Sequence, residues 1–201
     1  MKLLELFSGT KSVGKVAKQL GYEVISLDLK DADINCNILD WGYKIYPVGH
    51  FDVIWGSPPC TEYSVAKTVG IRKIDAANQI VLKTLEIIEY LNPTHFILEN
   101  PQTGLLKSQD FMYGIPFKDI DYCKYGMPYR KRTRLWNNIF NWQPKELCKK
   151  DCNSMDGNVH MATAQRGKRK DRPQNNSLSL LHSIPPALIE KLFNCMDLDL
   201  R

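Results

Sequence analysis

The chain has 201 residues, 43% of them hydrophobic, and a formal net charge of +5. That is enough for one domain with a full core and a small appendage. No apolar run approaches a membrane span, the start MKLLELFSG is too short for a signal peptide, and six scattered cysteines fit a reducing compartment better than a disulfide framework. The expectation is a monomer that is neither secreted nor membrane-bound. The charge is uneven: Arg130 to Arg172 carries a local +8 against −3 for the rest, which points to a polyanion partner there or to a Lys-rich solvated loop.

Lys2 to Phe7 reads as a first strand, ending in Ser8-Gly9-Thr10. Val13, Val16, Ala17 and Leu20 follow with the 3.6-residue period of a helix, closed by Gly21. Glu23 to Leu29 is a second strand, reaching Asp28 near its end. Strand, glycine turn, helix and strand make a βαβ unit, whose first turn holds anionic or nucleoside ligands. The fingerprint GxGxxG is absent, but an acid at the end of the second strand is placed to accept both ribose hydroxyls. The two features favour an adenosine-containing cofactor.

Ala32 to Trp41 is expected to form a short third strand and turn. Asp52 to Trp55 is a buried strand that breaks at Gly56-Ser57 and runs into Pro58-Pro59-Cys60, so Cys60 stands just past a strand's carboxyl end. Asp75 to Asn92 has helical periodicity, and His95 to Glu99 is another buried strand, ending at Glu99-Asn100-Pro101. Asp119 to Tyr125 and Arg132 to Asn138 are expected to pair as strands, with Arg132 and Arg134 on one face. Trp142 to Ser179 is polar and basic with little periodicity, and is either a functional excursion or partly disordered. Ile184-Pro185-Pro186 opens a closing helix with Leu188, Ile189, Leu192 and Phe193 on its apolar face.

Taken singly, a lone cysteine is more often buried and inert, a strand-end carboxylate more often a cap, and a basic strand more often a protected edge. Together, three strand ends deliver a thiol, an acid and a cation pair to one edge beside a nucleoside-type pocket, a set suited to conjugate addition to an electron-poor ring. In this arrangement the chain resembles the DNA (cytosine-5) methyltransferase family, and in particular the compact phage and large-virus type with a reduced target-recognition region. Glu5-Leu-Phe-Ser-Gly-Thr resembles the family's cofactor loop, and Asp28 its ribose-binding acid. Ser57-Pro-Pro-Cys60 matches the nucleophile motif, and Glu99-Asn100-Pro101 the Glu-Asn-Val motif. Arg132-Thr-Arg134 resembles the paired-arginine motif, and Ile184-Pro-Pro-Ala-Leu188 the proline start of the closing helix. The matches run in family order, with a gap at about residues 141 to 180.

The resemblance implies an α/β, Rossmann-like S-adenosylmethionine-dependent methyltransferase fold: a catalytic domain over 1–140, a short basic recognition region over 141–180, and a C-terminal helix over 181–201. It implies catalysis by Cys60, Glu99, Arg132 and Arg134, the arginines helping to lower the Cys60 pKa. Cofactor contacts are implied for Phe7, Ser8, Gly9, Thr10, Lys11, Ser12, Asp28, Leu29, Asn37, Ile38 and Pro58. Arg130, Lys131, Arg166, Lys168 and Arg169 are expected to bind nucleic acid. The implied substrate is DNA, double-stranded, with the target base flipped out, and the site of action is the cytoplasm or wherever that DNA lies. The alternatives are the same chemistry on RNA or a free cytosine nucleotide, or a catalytically degenerate nucleic-acid-binding protein of this fold.

The chain departs from the family pattern in several places. Lys11 stands where a second glycine is usual, Asn37 where an aspartate is usual, and Tyr129 where a glutamine is frequent. His182-Ser183 replaces a Gly-Asn pair before the closing prolines. No metal is expected in the chemistry. Cys148-x3-Cys152 with His160 is a subsidiary zinc alternative, with His182 or Cys195 to complete a tetrahedron.

Overall fold

The apolar runs condense into one seven-stranded sheet in the order β3-β2-β1-β4-β5-β7-β6. A computed structural model describes residues 1–165 and 177–199. The strands β1 (Lys2–Leu6), β2 (Glu23–Asp28), β3 (Ile34–Asn35), β4 (Val53–Gly56) and β5 (His95–Pro101) are all parallel. Their near-continuous hydrophobic character reflects burial on both faces. β7 (Arg132–Asn137) runs antiparallel to β5 and to β6 (Phe117–Asp121). The order reverses between β1 and β4, so the crevice beyond their carboxyl ends is the topological switch point where such sheets bind ligands.

Two cores sandwich the sheet. On one face α1 (Ser12–Gln19) and α4 (Pro186–Asp199) pack with Leu3, Trp55, Ile97 and Leu135. Phe193 stacks on Trp55 at 6.4 Å and meets the Tyr22 ring edge-on at 4.7 Å. On the other face α2 (Ile74–Leu91) packs through Val81, Ile87, Ile88 and Leu91 against Leu4, Ile54, Leu98 and Trp136. Trp142 and Ala162 belong to the first core, so the polar stretch after β7 is anchored to the sheet rather than hung from it. A two-stranded hairpin, β8 (Met155–Asp156) with β9 (Val159–His160), and the one-turn helix α3 (Leu178–His182) are its regular structure among the described residues.

The short third strand and turn expected over Ala32 to Trp41 are present as two strand residues followed by a 3-10 turn, Ile38–Asp40, where the Asn37 side chain accepts from Leu39 N–H. One expectation needs correction. The strand expected over Asp119 to Tyr125 starts earlier, at Phe117, and stops at Asp121. Tyr122–Tyr125 form a 3-10 turn closed by Gly126 at φ +94°.

Candidate active site

The first wall of the crevice is the loop from β1 to α1. Phe7, Gly9 and Lys11 all have left-handed φ values of +59°, +46° and +55°. The loop turns Gly9 N–H toward the end of β2, where it donates to Asp28 Oδ2 at 2.8 Å, and the N–H of Leu29, next after Asp28, donates to Oδ1 at 2.7 Å. Asp28 is thus fixed at its strand end by two charge-assisted bonds, with lone pairs to spare for ribose hydroxyls. Lys11 explains the usual glycine: the position is left-handed, where a side chain costs about 1 kcal/mol.

Below the loop, Glu5 is buried in β1 and accepts from Gly14 N–H at 3.1 Å. A Cβ on Gly14 would lie 2.5 Å from Glu5 Oε2, so only glycine lets the helix approach this closely. Burial pushes the Glu5 carboxyl up to about 7, against the lowering pull of the Gly14 and Val13 N–H groups and of Lys11 and Lys18. Ser8 Oγ is buried in the same loop with no partner among the described residues, and Leu29 is 71% exposed at its mouth. Asn37 is exposed and Ile38 buried, also beyond the end of β2. An orphaned hydroxyl, a held carboxylate and an exposed apolar side chain suit an adenosyl ligand. Ser12 is differently engaged, its Oγ accepting from Ile184 N–H at 3.1 Å and tying α1 to the start of α4.

The second wall is the loop after β4. Ser57 N–H donates to Leu6 O at 3.3 Å, setting the Pro58-Pro59-Cys60 bend beside the first loop. Asn100 Nδ2 donates to Pro58 O at 2.9 Å, clamping the bend from the end of β5, and Asn100 Oδ1 is buried without a partner among the described residues. Past Cys60, Arg72 holds the carbonyls of Glu62, Ser64 and Lys67, and Glu62 pairs with Lys67 at 2.6 Å. The loop is therefore pinned at its base while Val65, Val69 and Ile71 remain exposed.

Glu99 lies beside Cys60, buried at the end of β5. Tyr122 Oη–H donates to Glu99 Oε1 at 2.9 Å, and Lys131 Nζ approaches the same oxygen at 3.5 Å while lying 5.0 Å above the Tyr122 ring. Burial and the Glu99 charge hold the Tyr122 phenol well above its ordinary range, so it acts as a donor. Both protein donors reach Oε1, and Oε2 stays available to a ligand. Burial, with the Glu99 charge added, pushes the Cys60 thiol up, and Lys131 pulls it down without overcoming them. The expected lowering of the thiol is thus reversed.

The cation at this site is Lys131, which the sequence reading placed among the nucleic-acid contacts. Arg132 and Arg134 project to the other face of the sheet. Leu135 packs in the core on the Glu99 face and Trp136 in the opposite core, so by period-two alternation Arg132 and Arg134 share the side of Trp136. Arg132 makes a two-pronged bond to the buried Asp121, at 3.1 and 2.8 Å. Arg134 does the same to Asp119 at 2.7 and 2.9 Å and stacks on Phe117 at 3.5 Å. Tyr129, at the position of the usual glutamine, is a core residue whose hydroxyl donates to Leu180 O at 2.7 Å. Arg130 is exposed at the start of β7, and Arg166, Lys168 and Arg169 lie outside the described residues.

Sequence reasoning missed Tyr122 and Asn100 as site residues. Asn100 had a signal, its place in Glu-Asn-Pro. Tyr122 had none, since one tyrosine near a strand end carries no pattern.

Comparison with known proteins fits this geometry. The model of the family described as C-5 cytosine-specific DNA methylase matches residues 18–113. The chain is 34% identical over 216 residues to a "Probable DNA (cytosine-5)-methyltransferase" of Frog virus 3 (isolate Goorha), covering 96% of this chain and 99% of that one. It is 27% identical to the Type II methyltransferase M.AplI of Arthrospira platensis, over 72% of this chain but only 48% of that protein. Among solved structures, the Entamoeba histolytica methyltransferase EhMeth superposes with a TM-score of 0.68 at 14% identity, covering all of this chain and 99% of that one. That likeness shows the shared methyltransferase fold.

Proposed function

Because the chain belongs to the C-5 cytosine-specific DNA methylase family, in the compact form of its viral relative, we propose that it methylates carbon 5 of cytosine in double-stranded DNA through a covalent Cys60 adduct, with S-adenosylmethionine as methyl donor. The observation that carries this reading is the meeting of Cys60, Glu99 and Lys131 at one sheet edge beside the loop holding Asp28 and the orphaned Ser8 hydroxyl. Phe7 to Lys11, Asp28, Leu29, Asn37, Ile38 and Pro58 would hold the donor, with Ser12 positioning α1 behind them. Bound S-adenosylmethionine supplies an electrophilic methyl group.

The chain's own residues do the rest. Cys60 gives up its proton, which passes through Glu99 to the ring, as its sulfur bonds to carbon 6. Glu99 protonates ring nitrogen 3 through Oε2, so charge does not accumulate on the base. Tyr122 and Lys131 hold Glu99 in place through Oε1, and Lys131 steadies the thiolate as it forms. Carbon 5, now enamine-like, would take the methyl group, and the donor would be left as its neutral thioether. Carbon 5 then gives its proton to water, nitrogen 3 returns its proton to Glu99, and the Cys60 sulfur leaves with the electron pair of its bond to carbon 6, restoring the double bond.

The base must leave the duplex to reach Cys60, an unstacking cost of a few kcal/mol. Arg130, with Arg166, Lys168 and Arg169, would offer compensating phosphate contacts. In this reading residues 1–140 are the catalytic domain, 141–180 the recognition region, and 181–201 the closing helix.

The test is transfer of a labelled methyl group from S-adenosylmethionine to double-stranded DNA, with RNA and free cytidine nucleotides in parallel. Incorporation into DNA cytosine that disappears in Cys60→Ser is expected. Transfer that survives Cys60→Ser overturns the covalent route, and transfer to RNA or nucleotide alone overturns the choice of substrate.

A further inference from the structure

Four metal-ligating side chains meet away from the active site, on the far side of Tyr122. Cys123 stands in the 3-10 turn after β6, Cys148 and Cys152 in the loop after β7, and His160 on β9. Their three sulfurs and one ring nitrogen all lie within 4.8 Å of one another, and Cys148 Sγ is 3.5 Å from His160 Nε2. A tetrahedral zinc ion, with Zn–S near ~2.3 Å and Zn–N near ~2.1 Å, holds its ligand atoms roughly 3.5–3.8 Å apart. The wider pairs close by about an ångström on binding, within the reach of a side-chain rotation. We infer that Cys123, Cys148, Cys152 and His160 form a structural zinc site that staples the segment after β7 to the sheet.

The surroundings are those of a metal knuckle rather than a chance meeting of thiols. The backbone N–H groups of Lys150 and Asp151 face the Cys148 sulfur, and Lys150 takes a left-handed φ of +68° to turn them there. The turn is held by Asp151, which accepts from Lys149 N–H at 3.0 Å and pairs with Lys124 at 2.7 Å. Cys148 N–H donates to Asp121 Oδ2 at 2.9 Å, the carboxylate that Arg132 grips. These are second-layer contacts of the kind that orient ligands in closed, four-ligand sites. A cleft of about 450 Å³, whose wall includes Cys123, Asp151 and Cys152, gives an ion its way in. Three sulfurs and one imidazole select zinc among the common divalent ions, and a full ligand set leaves no open position for catalysis.

This completes the subsidiary zinc alternative differently from the sequence reading: the fourth ligand is Cys123, not His182 or Cys195. Cys123 is next in sequence to Tyr122, so the site also anchors the turn whose phenol positions Glu99. The inference rests on this cluster alone and stands whether or not the chain methylates DNA.

The experiment is metal analysis of the full chain, purified under reducing conditions without added metal, together with Cys152→Ser and, as control, Cys36→Ser. One zinc per chain in the wild type and in Cys36→Ser, lost in Cys152→Ser, is expected. If Cys152→Ser does not fold, wild-type protein stripped of metal and reloaded with Co²⁺ decides. The intense visible absorption of tetrahedral thiolate-bound cobalt, bleached by one equivalent of zinc, supports the site. Background zinc in folded wild-type protein, with no such absorption on cobalt loading, overturns it.

Discussion

Glu5→Gln isolates the electrostatics of the floor beneath the loop from β1 to α1. The Glu5 carboxyl titrates near 7 in the folded chain against an ordinary value of 4.5, with burial as the dominant cause. Between those values the folded state holds a proton that the unfolded state has lost, so this group's contribution falls as pH rises from about 4.5 to 7 and is flat above. At about 1.4 kcal/mol per tenfold change in proton affinity, the ionised carboxylate costs roughly 3 kcal/mol at pH 8. Glutamine removes that cost and keeps a carbonyl for the Gly14 N–H. Thermal or urea unfolding of both proteins from pH 4.5 to 8 measures the difference. The variant should gain on the wild type as pH rises from 4.5 to about 7 and hold that gain above, by about 10 °C in Tm at pH 8 relative to pH 4.5. A difference independent of pH would refute the burial argument.

The β7 register makes a second prediction: Lys131→Met should lower kcat by roughly a hundredfold with the fold intact, since it removes the cation beside Glu99. Arg132→Met should instead destabilise by about 3 kcal/mol through the stranded, buried Asp121, and Arg134→Met by about 1 kcal/mol, each with kcat nearly unchanged in the folded fraction. Steady-state kinetics beside unfolding curves separates the two classes. Because the Cys60 thiol is pushed up, kcat/KM for methyl transfer should go on climbing past its ordinary value of 9.0, and in Lys131→Met the climb should shift to still higher pH. A plateau below pH 8 would contradict the raised thiol. Lys11→Gly should leave stability within about 1 kcal/mol, relaxed backbone offsetting added chain entropy. If Lys11 contacts the cofactor carboxylate, calorimetry should show S-adenosylmethionine bound roughly tenfold more weakly by this variant.

What the sequence made legible follows from how local each signal is. β1, β2, β4 and β5 are apolar runs closed by turn residues, and α1 and α2 carry clear helical spacing, so element type and order could be read directly. Strand order then follows from parallel βαβ units, which puts Ser8, Cys60 and Glu99 at one edge. The paired arginines were misread because alternation along a strand is unforgiving: a shift of one residue exchanges Lys131 for Arg132 and moves the charge to the opposite face. Nothing local distinguishes the two, since both are cations in a run of four basic residues. Cys123 was passed over for a related reason. It sits 25 residues from Cys148, and only the antiparallel return of β7 brings them together. Tyr122 gains its role the same way, through long-range packing against Glu99.

The central claim, a covalent bond between Cys60 and cytosine carbon 6, is tested most directly by trapping. Duplex DNA carrying 5-fluorocytosine at the target position is incubated with the protein and S-adenosylmethionine, because fluorine blocks the final proton loss and freezes the adduct. A denaturation-resistant protein–DNA species whose cross-linked peptide contains Cys60, formed only with the cofactor and absent in Cys60→Ser, is the predicted result. Efficient methylation of normal cytosine DNA without any trapped species, or a cross-link at another residue, would contradict it.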